Sequence, residues 1–229
     1  MEMTYTEADK AMADLTCGAL FYGMRSCEYL DTPAKEFKKT KLLELNDIKF
    51  FNILGHRIHH NSPSLHRAEF VTIRFKTQKN GEKNEQITNR RSGLYLCPVK
   101  IWARIVKRLL KNPLTTHKTK INTVYISDTN RSFKVTSTMI VNLLRNTVHI
   151  LGPEKLGIPI KSIGTHSIRT SFAMMLNLNN KADSYIMKQG RWRSDAFLRY
   201  IRNYVDNFGG DASALIARLD NEFISLLHK

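Results

Sequence analysis

An alternating stretch followed by a tight-turn dipeptide is the sequence feature that most restricts the fold of this chain. Residues 70–76 (Phe-Val-Thr-Ile-Arg-Phe-Lys) place apolar side chains at every second position, which predicts a strand with one buried face. Asn80-Gly81 follows, and this dipeptide favours a two-residue hairpin turn because both central positions need positive φ. The returning strand is predicted over residues 84–88 and a further strand over residues 45–50. The chain therefore contains a small antiparallel sheet.

Most of the remaining chain has the apolar spacing of amphipathic helices. Apolar residues recur at intervals of three and four positions, which places them on one face of a helix. Thr4 or Thr6, with Glu7 close behind, can cap the first helix, and Ser194 with Asp195 can cap the helix that holds Tyr200. The first helix is predicted over residues 6–30, and the others, besides the one that holds Tyr200, over residues 98–111, 136–149, 166–178, 182–188 and 211–227. The predicted fold class is mainly α with a small antiparallel β-sheet.

The chain is strongly basic. Lys and Arg number 36 against 20 Asp and Glu, which gives a formal net charge of +16. Such a charge predicts a polyanionic partner. Nucleic acid is the first candidate and an anionic membrane surface the second. No apolar run approaches the ~20 residues that a membrane-spanning helix needs, so nucleic acid is the partner that we expect.

The first residues and the cysteines predict a compartment. Residues 1–4 have neither the cationic start nor the apolar stretch of a secretory signal. Cys17, Cys27 and Cys97 are odd in number, widely spaced and not paired as Cys-x-x-Cys, which predicts buried or free thiols in a reducing environment. We expect the cytoplasm or the nucleus rather than secretion.

Three neighbouring histidines raise the question of a metal site. His56, His59 and His60 are close in sequence, and they stand beside Gly55 and the Asn-Ser-Pro-Ser segment of residues 61–64. This composition is typical of a solvated loop. We interpret the histidines as part of a solvated basic loop and predict no metal.

A second group of residues carries chemistry near the end of the chain. His166 and Arg169 are three residues apart, which places an imidazole and a guanidinium on one face of a helix. A Gly-Arg-Trp triplet that ends at Trp192 then adds an indole N–H donor, and Tyr200 adds a phenol. Cationic and neutral donors with one nucleophilic hydroxyl, and no acidic cluster for a metal, are suited to metal-free attack on a phosphodiester.

The order His-x-x-Arg, Gly-x-Trp, Tyr resembles the C-terminal part of the tyrosine recombinase (phage integrase) family. The fifth position is Trp, as in the Cre-like members, rather than the commoner His. The family pattern also has an earlier arginine followed three positions on by an acid, which Arg25 and Glu28 match, with Glu28 orienting Arg25. It places a lysine on a β-hairpin between the two arginine motifs, where Lys79 stands at the predicted turn and Lys76 is a nearby alternative. The matched residues, in family order, are Arg25, Lys79, His166, Arg169, Trp192 and Tyr200.

The resemblance implies the integrase catalytic-domain fold and an enzyme that cleaves and rejoins DNA without metal, ATP or another cofactor. Tyr200 would attack the scissile phosphate and form a 3′-phosphotyrosine. The two arginines would stabilise the charge of the transition state, and His166 would donate to the phosphate or take the tyrosine proton. Lys79 would protonate the leaving 5′-hydroxyl. Trp192 would act in positioning, because the indole can donate but cannot accept a proton.

The resemblance also implies double-stranded DNA as the partner and a homotetramer assembled on it. The catalytic domain is expected over residues 1–210. The amphipathic tail helix of residues 211–229 is expected to dock on a neighbouring subunit. The family carries a helical core-binding domain ahead of the first arginine motif, and because Arg25 stands almost at residue 1, that domain is expected to be absent.

Each matched residue also has a purely structural interpretation. Tyr200 shares an apolar stripe with Phe197, Ile201 and Tyr204 and is compatible with a core position, and Trp192 is compatible with simple packing. At the level of function, type IB topoisomerases share the same active-site chemistry. A non-catalytic DNA-binding remnant of a mobile-element integrase would keep the basic surface without turnover. These alternatives stay open in the sequence.

Overall fold

The computed structural model describes residues 6–32, 40–78, 81–126, 131–194, 197–198 and 201. The α-helices within these residues are α1 (Glu7–Leu20), α2 (Ser26–Tyr29), α3 (Pro98–Leu110), α4 (Ser137–Leu151), α5 (Pro153–Leu156), α6 (Thr165–Leu178) and α7 (Asp183–Gly190). The strands in the same residues are β1 (Ile48–Phe51), β2 (Arg57–Ile58), β3 (Phe70–Thr77), β4 (Lys83–Arg90), β5 (Thr123–Tyr125) and β6 (Ser132–Lys134). The architecture is mainly α with a small antiparallel sheet, which confirms the predicted class.

The predicted antiparallel strand pair is present in the larger sheet. The predicted two-residue turn is wrong, because the N–H of Gln78 donates to the Glu82 carbonyl at 3.0 Å and three residues lie between them. β3 and β4 pair antiparallel, with Ile73 opposite Ile87, and the strand order is β2-β1-β3-β4. Gly81 in the turn has a φ of 86°, and Asn80 lies outside the described residues. The alternation over residues 70–76 therefore predicted both the strand and its buried face.

Short strands were not predicted. β2 lies where a loop was expected, and β5 and β6 form a second, two-stranded sheet; with two or three residues each, they are too short for alternation to be visible. β1 begins at Ile48 rather than at residue 45. Residues 45–47 form a 3₁₀ turn, in which the Asp47 carboxylate accepts from the N–H of Glu44 at 3.0 Å.

The first predicted helix is interrupted. Thr6 Oγ1 accepts from the N–H of Asp9 at 3.1 Å, and the Asp9 carboxylate accepts from the N–H of Thr6 at 3.0 Å. Asp9, rather than Glu7, thus completes the capping box of α1. After α1 the chain turns at Gly23, which has a φ of 50°. Arg25 consequently stands at the N-cap of α2 and not in one continuous helix over residues 6–30.

The main core joins the end of α1 to α3 and to the larger sheet. Trp102 on α3 is fully buried, and its ring meets that of Tyr22 edge-on with 5.9 Å between centroids. Tyr22 is also fully buried, and its hydroxyl donates to the carbonyl of Val71 on β3 at 2.9 Å. Edge-to-face aromatic pairs contribute about 0.5–1.5 kcal/mol beyond area burial. The turn that contains Gly23 and Arg25 therefore follows directly from a rigid part of the core.

The cysteines are free thiols, as predicted: Cys27 and Cys97 are buried and Cys17 is half-buried. Burial raises the pKa of the Cys17 and Cys27 thiols, which keeps both protonated and poorly nucleophilic. Within the described ranges, no helix has the length and apolar character required to cross a membrane.

The chain divides into two compact units, Met1–Phe172 and Ala173–Lys229. The first contains both sheets and the main core. The second has a small apolar core of its own, formed by Ala173, Ile186, Phe197 and Ile201. The tail of residues 211–229 lies outside the described residues, so its separation from a domain over residues 1–210 stays a prediction.

α7 ends in a Schellman motif that sets the position of Trp192. Arg191 adopts the left-handed conformation with a φ of 57°. The N–H of Trp192 donates to the Met187 carbonyl at 2.9 Å, and the N–H of Arg191 donates to the Lys188 carbonyl at 3.3 Å, which are the two hydrogen bonds of this motif. The indole folds back over Gly190, where an added Cβ would lie 1.7 Å from the nearest ring carbon. The Gly-x-Trp pattern therefore has a packing cause within the second unit.

We predict that Gly190→Ala displaces the Trp192 indole and destabilises the protein by about 1–3 kcal/mol, the range for overpacking. Gly93→Ala is the matched control, because an added Cβ at Gly93 meets nothing within 4 Å. Urea unfolding measures the stability, and subtraction of the Trp192→Phe spectrum isolates the Trp192 fluorescence, which should shift to the red. Unchanged emission and stability in Gly190→Ala would contradict the packing described here.

Candidate active site

α6 carries two of the sequence-predicted residues at its start. His166 is exposed, whereas Arg169, one turn later, is only 2% exposed. Gly164 and Ser167 form reciprocal hydrogen bonds at the start of the helix. The N–H of Gly164 donates to Ser167 Oγ at 3.2 Å, and the N–H of Ser167 donates to the Gly164 carbonyl at 3.0 Å. The imidazole is therefore presented to solvent near the helix N-terminus while the guanidinium lies in the interior.

A hydrogen bond between distant segments brings the two arginine motifs together. Arg169 Nη1 donates to the main-chain carbonyl of Gly23, which is 146 residues away in sequence. Gly23 precedes Arg25 by two residues. The start of α6 and the turn before α2 consequently meet within the first unit.

Glu28 binds Arg25 through both the main chain and the side chain. Glu28 Oε2 accepts from the main-chain N–H of Arg25 at 2.9 Å, and Oε1 accepts from Arg25 Nη1 at 3.3 Å. The Glu28 side chain is 1% exposed and the Arg25 side chain 21% exposed. A buried carboxylate thus orients a guanidinium whose remaining edge reaches the surface.

The charges of both arginines act on His166. Although His166 is exposed at the surface, the surrounding protein still withdraws part of its ring from water. This desolvation lowers the pKa of His166, and the positive charges of Arg169 and Arg25 lower it further. The imidazole is therefore neutral near pH 7, and one ring nitrogen can accept a proton.

Lys76, the alternative to Lys79 as the hairpin lysine, is held by two carboxylates. Its ammonium group pairs with Glu44 and, at 3.1 Å, with Asp47. Burial acts to lower the pKa of Lys76, but the hydrogen bonds and charges of Glu44 and Asp47 outweigh it, so the pKa is raised overall. An ammonium held in this way is poorly suited to give its proton to a leaving group.

Several predicted residues fall elsewhere. Lys79 and Tyr200 lie outside the described residues. Trp192 belongs to the second unit, where its ring lies against Phe197 with 5.9 Å between centroids. The described residues that meet in the first unit are Arg25, Glu28, His166 and Arg169.

The histidine segment differs from its prediction at one residue. His60 Nε2 donates to the carbonyl of Ile48 at 2.8 Å, and its ring lies edge-on to Phe50 with 6.0 Å between centroids. The prediction of a solvated loop is thus wrong for His60, which anchors the segment to β1, while His56 and His59 are exposed. In the part of the chain that the structure describes, no group of three or more His, Cys, Asp or Glu is arranged to hold a metal ion.

Sequence reasoning missed Gly23 and Phe172. The positive φ of Gly23 strains any side chain placed there, and an added Cβ would lie 2.6 Å from the Phe172 ring. Phe172 is on α6, three residues after Arg169, so the same helix both bonds the Gly23 turn and covers it. The only signal in the sequence is a glycine two residues before the first arginine motif, and it does not identify its partner.

No protein-family model and no curated protein matches this chain. Among solved structures, the chain is similar to a Tn1549 transposon integrase in complex with transposon right end DNA, with a TM-score of 0.40 and 8% sequence identity. The match covers 91% of this chain, and the chain spans 66% of the length of that integrase chain.

We predict that Gly23→Ala destabilises the protein more than Gly55→Ala does. Both glycines have positive φ, 50° and 79°, so both substitutions incur the left-handed cost of about 1–2 kcal/mol. An added Cβ meets the Phe172 ring at Gly23 and nothing within 4 Å at Gly55. The difference between the free energies of unfolding of the two variants therefore measures the clash between the added Cβ and the Phe172 ring. Adding Phe172→Leu to Gly23→Ala should reduce this difference. Equal destabilisation by the two variants would refute the close approach.

We predict that Arg25→Gln raises the pKa of His166, because one of the two positive charges that lower it is removed. The titration is followed through the imidazole Cε1 proton by NMR. Arg57→Gln is the matched control: burial lowers the pKa of His60, and the charge of Arg57 lowers it further. Arg25→Gln should therefore raise the pKa of His166 alone, and Arg57→Gln should raise the pKa of His60 alone. A change in the pKa of both histidines in either variant would disprove the local effect.

The same shift has a consequence for stability. The pKa of His166 in the folded protein is below its ordinary value of 6.5, so the unfolded chain binds this proton more readily. The contribution of His166 to stability is complete above pH 6.5 and falls as the pH drops from 6.5 to the folded-state pKa. Arg25→Gln brings the folded-state and unfolded-state pKa values of His166 closer together. The pH range below 6.5 over which the free energy of unfolding falls should therefore be narrower in this variant, as measured by urea unfolding.

Proposed function

We propose that this chain binds DNA and cleaves and rejoins its strands through Tyr200, in the manner of the tyrosine recombinases. The observation that carries the proposal is that Arg25, His166 and Arg169 lie close together. The hydrogen bond from Arg169 to the Gly23 carbonyl brings α6 to the turn before Arg25, and the charges of both arginines lower the pKa of His166. Two guanidinium groups and an imidazole form a donor set suited to a phosphodiester. The net charge of +16 agrees with a polyanionic substrate.

The two arginines act on the scissile phosphate in different ways. Arg25 has the accessible edge and donates to a non-bridging oxygen. Arg169, at 2% exposure, adds a fixed positive charge from the interior. Glu28 compensates one of the two guanidinium charges, which leaves the site positive. Charges that are already in place stabilise the transition state without reorganisation.

The reaction exchanges one phosphoester bond for another. Tyr200 Oη attacks the phosphorus, the bond to the 5′-oxygen breaks, and a 3′-phosphotyrosine remains. The neutral imidazole of His166 takes the phenolic proton, and Lys79 gives a proton to the leaving 5′-oxygen. Rejoining reverses these steps, so the reaction consumes neither ATP nor metal. Trp192 takes part as an N–H donor that positions the phosphate.

The proposal includes a homotetramer on double-stranded DNA. Exchange of both strands between two duplexes requires four cleavages, and each copy of the chain supplies one nucleophile. The tail of residues 211–229 would connect neighbouring subunits, and the protein would act wherever the host DNA lies.

We predict that Tyr200→Phe abolishes a covalent protein–DNA adduct while DNA binding survives, because the substitution removes only the hydroxyl. The substrate is a pool of nicked duplexes with randomised sequence, and adducts are detected after denaturation in detergent. Binding is measured separately from ~50 to ~200 mM salt, where affinity should fall steeply because phosphate contacts release counterions.

Tyr185→Phe, on α7 and 45% exposed, is the control for loss of a tyrosine hydroxyl, and Tyr204→Phe tests the nearest competing nucleophile. An adduct that persists in Tyr200→Phe and disappears in Tyr204→Phe would refute the assignment. Salt-sensitive binding with no adduct in the unmodified chain would instead support a DNA-binding remnant. Relaxation of supercoiled plasmid without exchange between duplexes would support a type IB topoisomerase.

A further inference from the structure

Arg145 extends from the middle of α4 to the segment that leads into α6. Its Nε donates to the carbonyl of Ile163 at 3.0 Å, and its Nη2 donates to the carbonyl of Lys161 at 3.4 Å. The residue is half-buried, and no carboxylate of the described residues lies within ion-pair distance of it. A partly buried guanidinium is therefore bound to two main-chain carbonyls, and these two hydrogen bonds connect α4 to the segment before α6.

The segment that Arg145 binds has few other attachments. Within residues 159–164, the N–H of Ser162 donates to the Pro159 carbonyl at 3.0 Å and that of Ile163 to the Ile160 carbonyl at 3.1 Å, so these bonds close the segment on itself. Gly164 bonds only to the start of α6. In the described part of the chain, the hydrogen bonds that connect this segment to a helix other than α6 come from Arg145.

We infer that Arg145 is a positioning residue for His166. Hydrogen bonds on either side of His166 attach the start of α6 to other segments: Arg145 binds the segment just before the helix, and Arg169, one turn into the helix, binds the Gly23 carbonyl. With the hydrogen bonds of Arg145 lost, the start of α6 can move about Arg169, and the imidazole changes its distance from both guanidinium groups. The consequence for catalysis depends on the proposed function, but the position of His166 does not.

The chemistry of the side chain makes this inference testable. Nε and Nη2 lie on one edge of a planar fork and reach two carbonyls that are two residues apart in sequence. The ammonium group of lysine is a single point donor and does not reproduce this edge. Arg145→Lys therefore keeps the charge and removes these two hydrogen bonds, whereas Arg145→Gln removes the charge as well.

The first measurement uses the protein without DNA, with all 229 residues. The pKa of His166, followed by NMR, should rise toward 6.5 in both Arg145→Lys and Arg145→Gln, because the ring moves away from Arg25 and Arg169 and becomes better hydrated. Arg90→Gln is the matched control, since Arg90 is an exposed arginine on β4 that pairs with Glu69 at 2.9 Å; it should leave His166 unchanged. A rise in Arg145→Gln alone would show that only the charge matters, and would overturn the inference.

The second measurement is the rate of adduct formation at saturating DNA. Arg145→Lys should slow it by roughly 10- to 100-fold, the effect of a small misplacement of a reacting group, with unchanged DNA affinity. A loss of thermal stability with unchanged His166 pKa and unchanged rate would reduce Arg145 to a structural residue and refute the inference. If the unmodified chain forms no adduct, the proposed function fails, and the His166 titration still decides the role of Arg145. If Arg145→Gln does not fold, Arg145→Lys alone decides it.

Discussion

The hydrogen bond from Arg169 to the Gly23 carbonyl is the contact on which the candidate site depends. A guanidinium at 2% exposure needs partners for its N–H groups, because a buried charge left unpaired costs several kcal/mol. The carbonyl that accepts from it belongs to a turn that follows Tyr22, which the core holds against Trp102. The core thus fixes the acceptor, the acceptor fixes Arg169, and Arg169 fixes the first turns of α6.

On the proposed function, this arrangement also links DNA binding to proton transfer. In the free protein, desolvation and two guanidinium charges disfavour a proton on His166. A phosphate bound beside these groups adds negative charge and offsets their effect on the imidazole. Proton uptake by His166 is then favoured once DNA is bound, when the tyrosine proton must be removed. The lowered pKa of His166 in the free protein favours a neutral imidazole, which can accept the proton at this step.

The sequence predicted the elements that have long, regular patterns. The strand over residues 70–76 and α3 follow from periodicity, because one face of each is buried in the core. The partner strand follows from the turn signal at Asn80-Gly81. The failures occurred where a single local interaction overrides the pattern. Gly23 stops the first helix through its positive φ, and the Asp47 carboxylate closes a 3₁₀ turn where a strand was predicted to start. His60 is bonded to a carbonyl that no sequence spacing indicates.

The sequence by itself determined which chemical groups are present and their local spacing: the basic charge, the His-x-x-Arg pair, Arg25 with Glu28, and the glycine that precedes them. It also predicted His166 and Arg169 on one helical face. Only the tertiary structure decided that one of the two is exposed and the other buried, and that Gly23 accepts from Arg169. Helical spacing depends on bonds four residues apart. The contact between Arg169 and Gly23, 146 residues apart, depends on how the core packs, and local sequence spacing does not predict that packing.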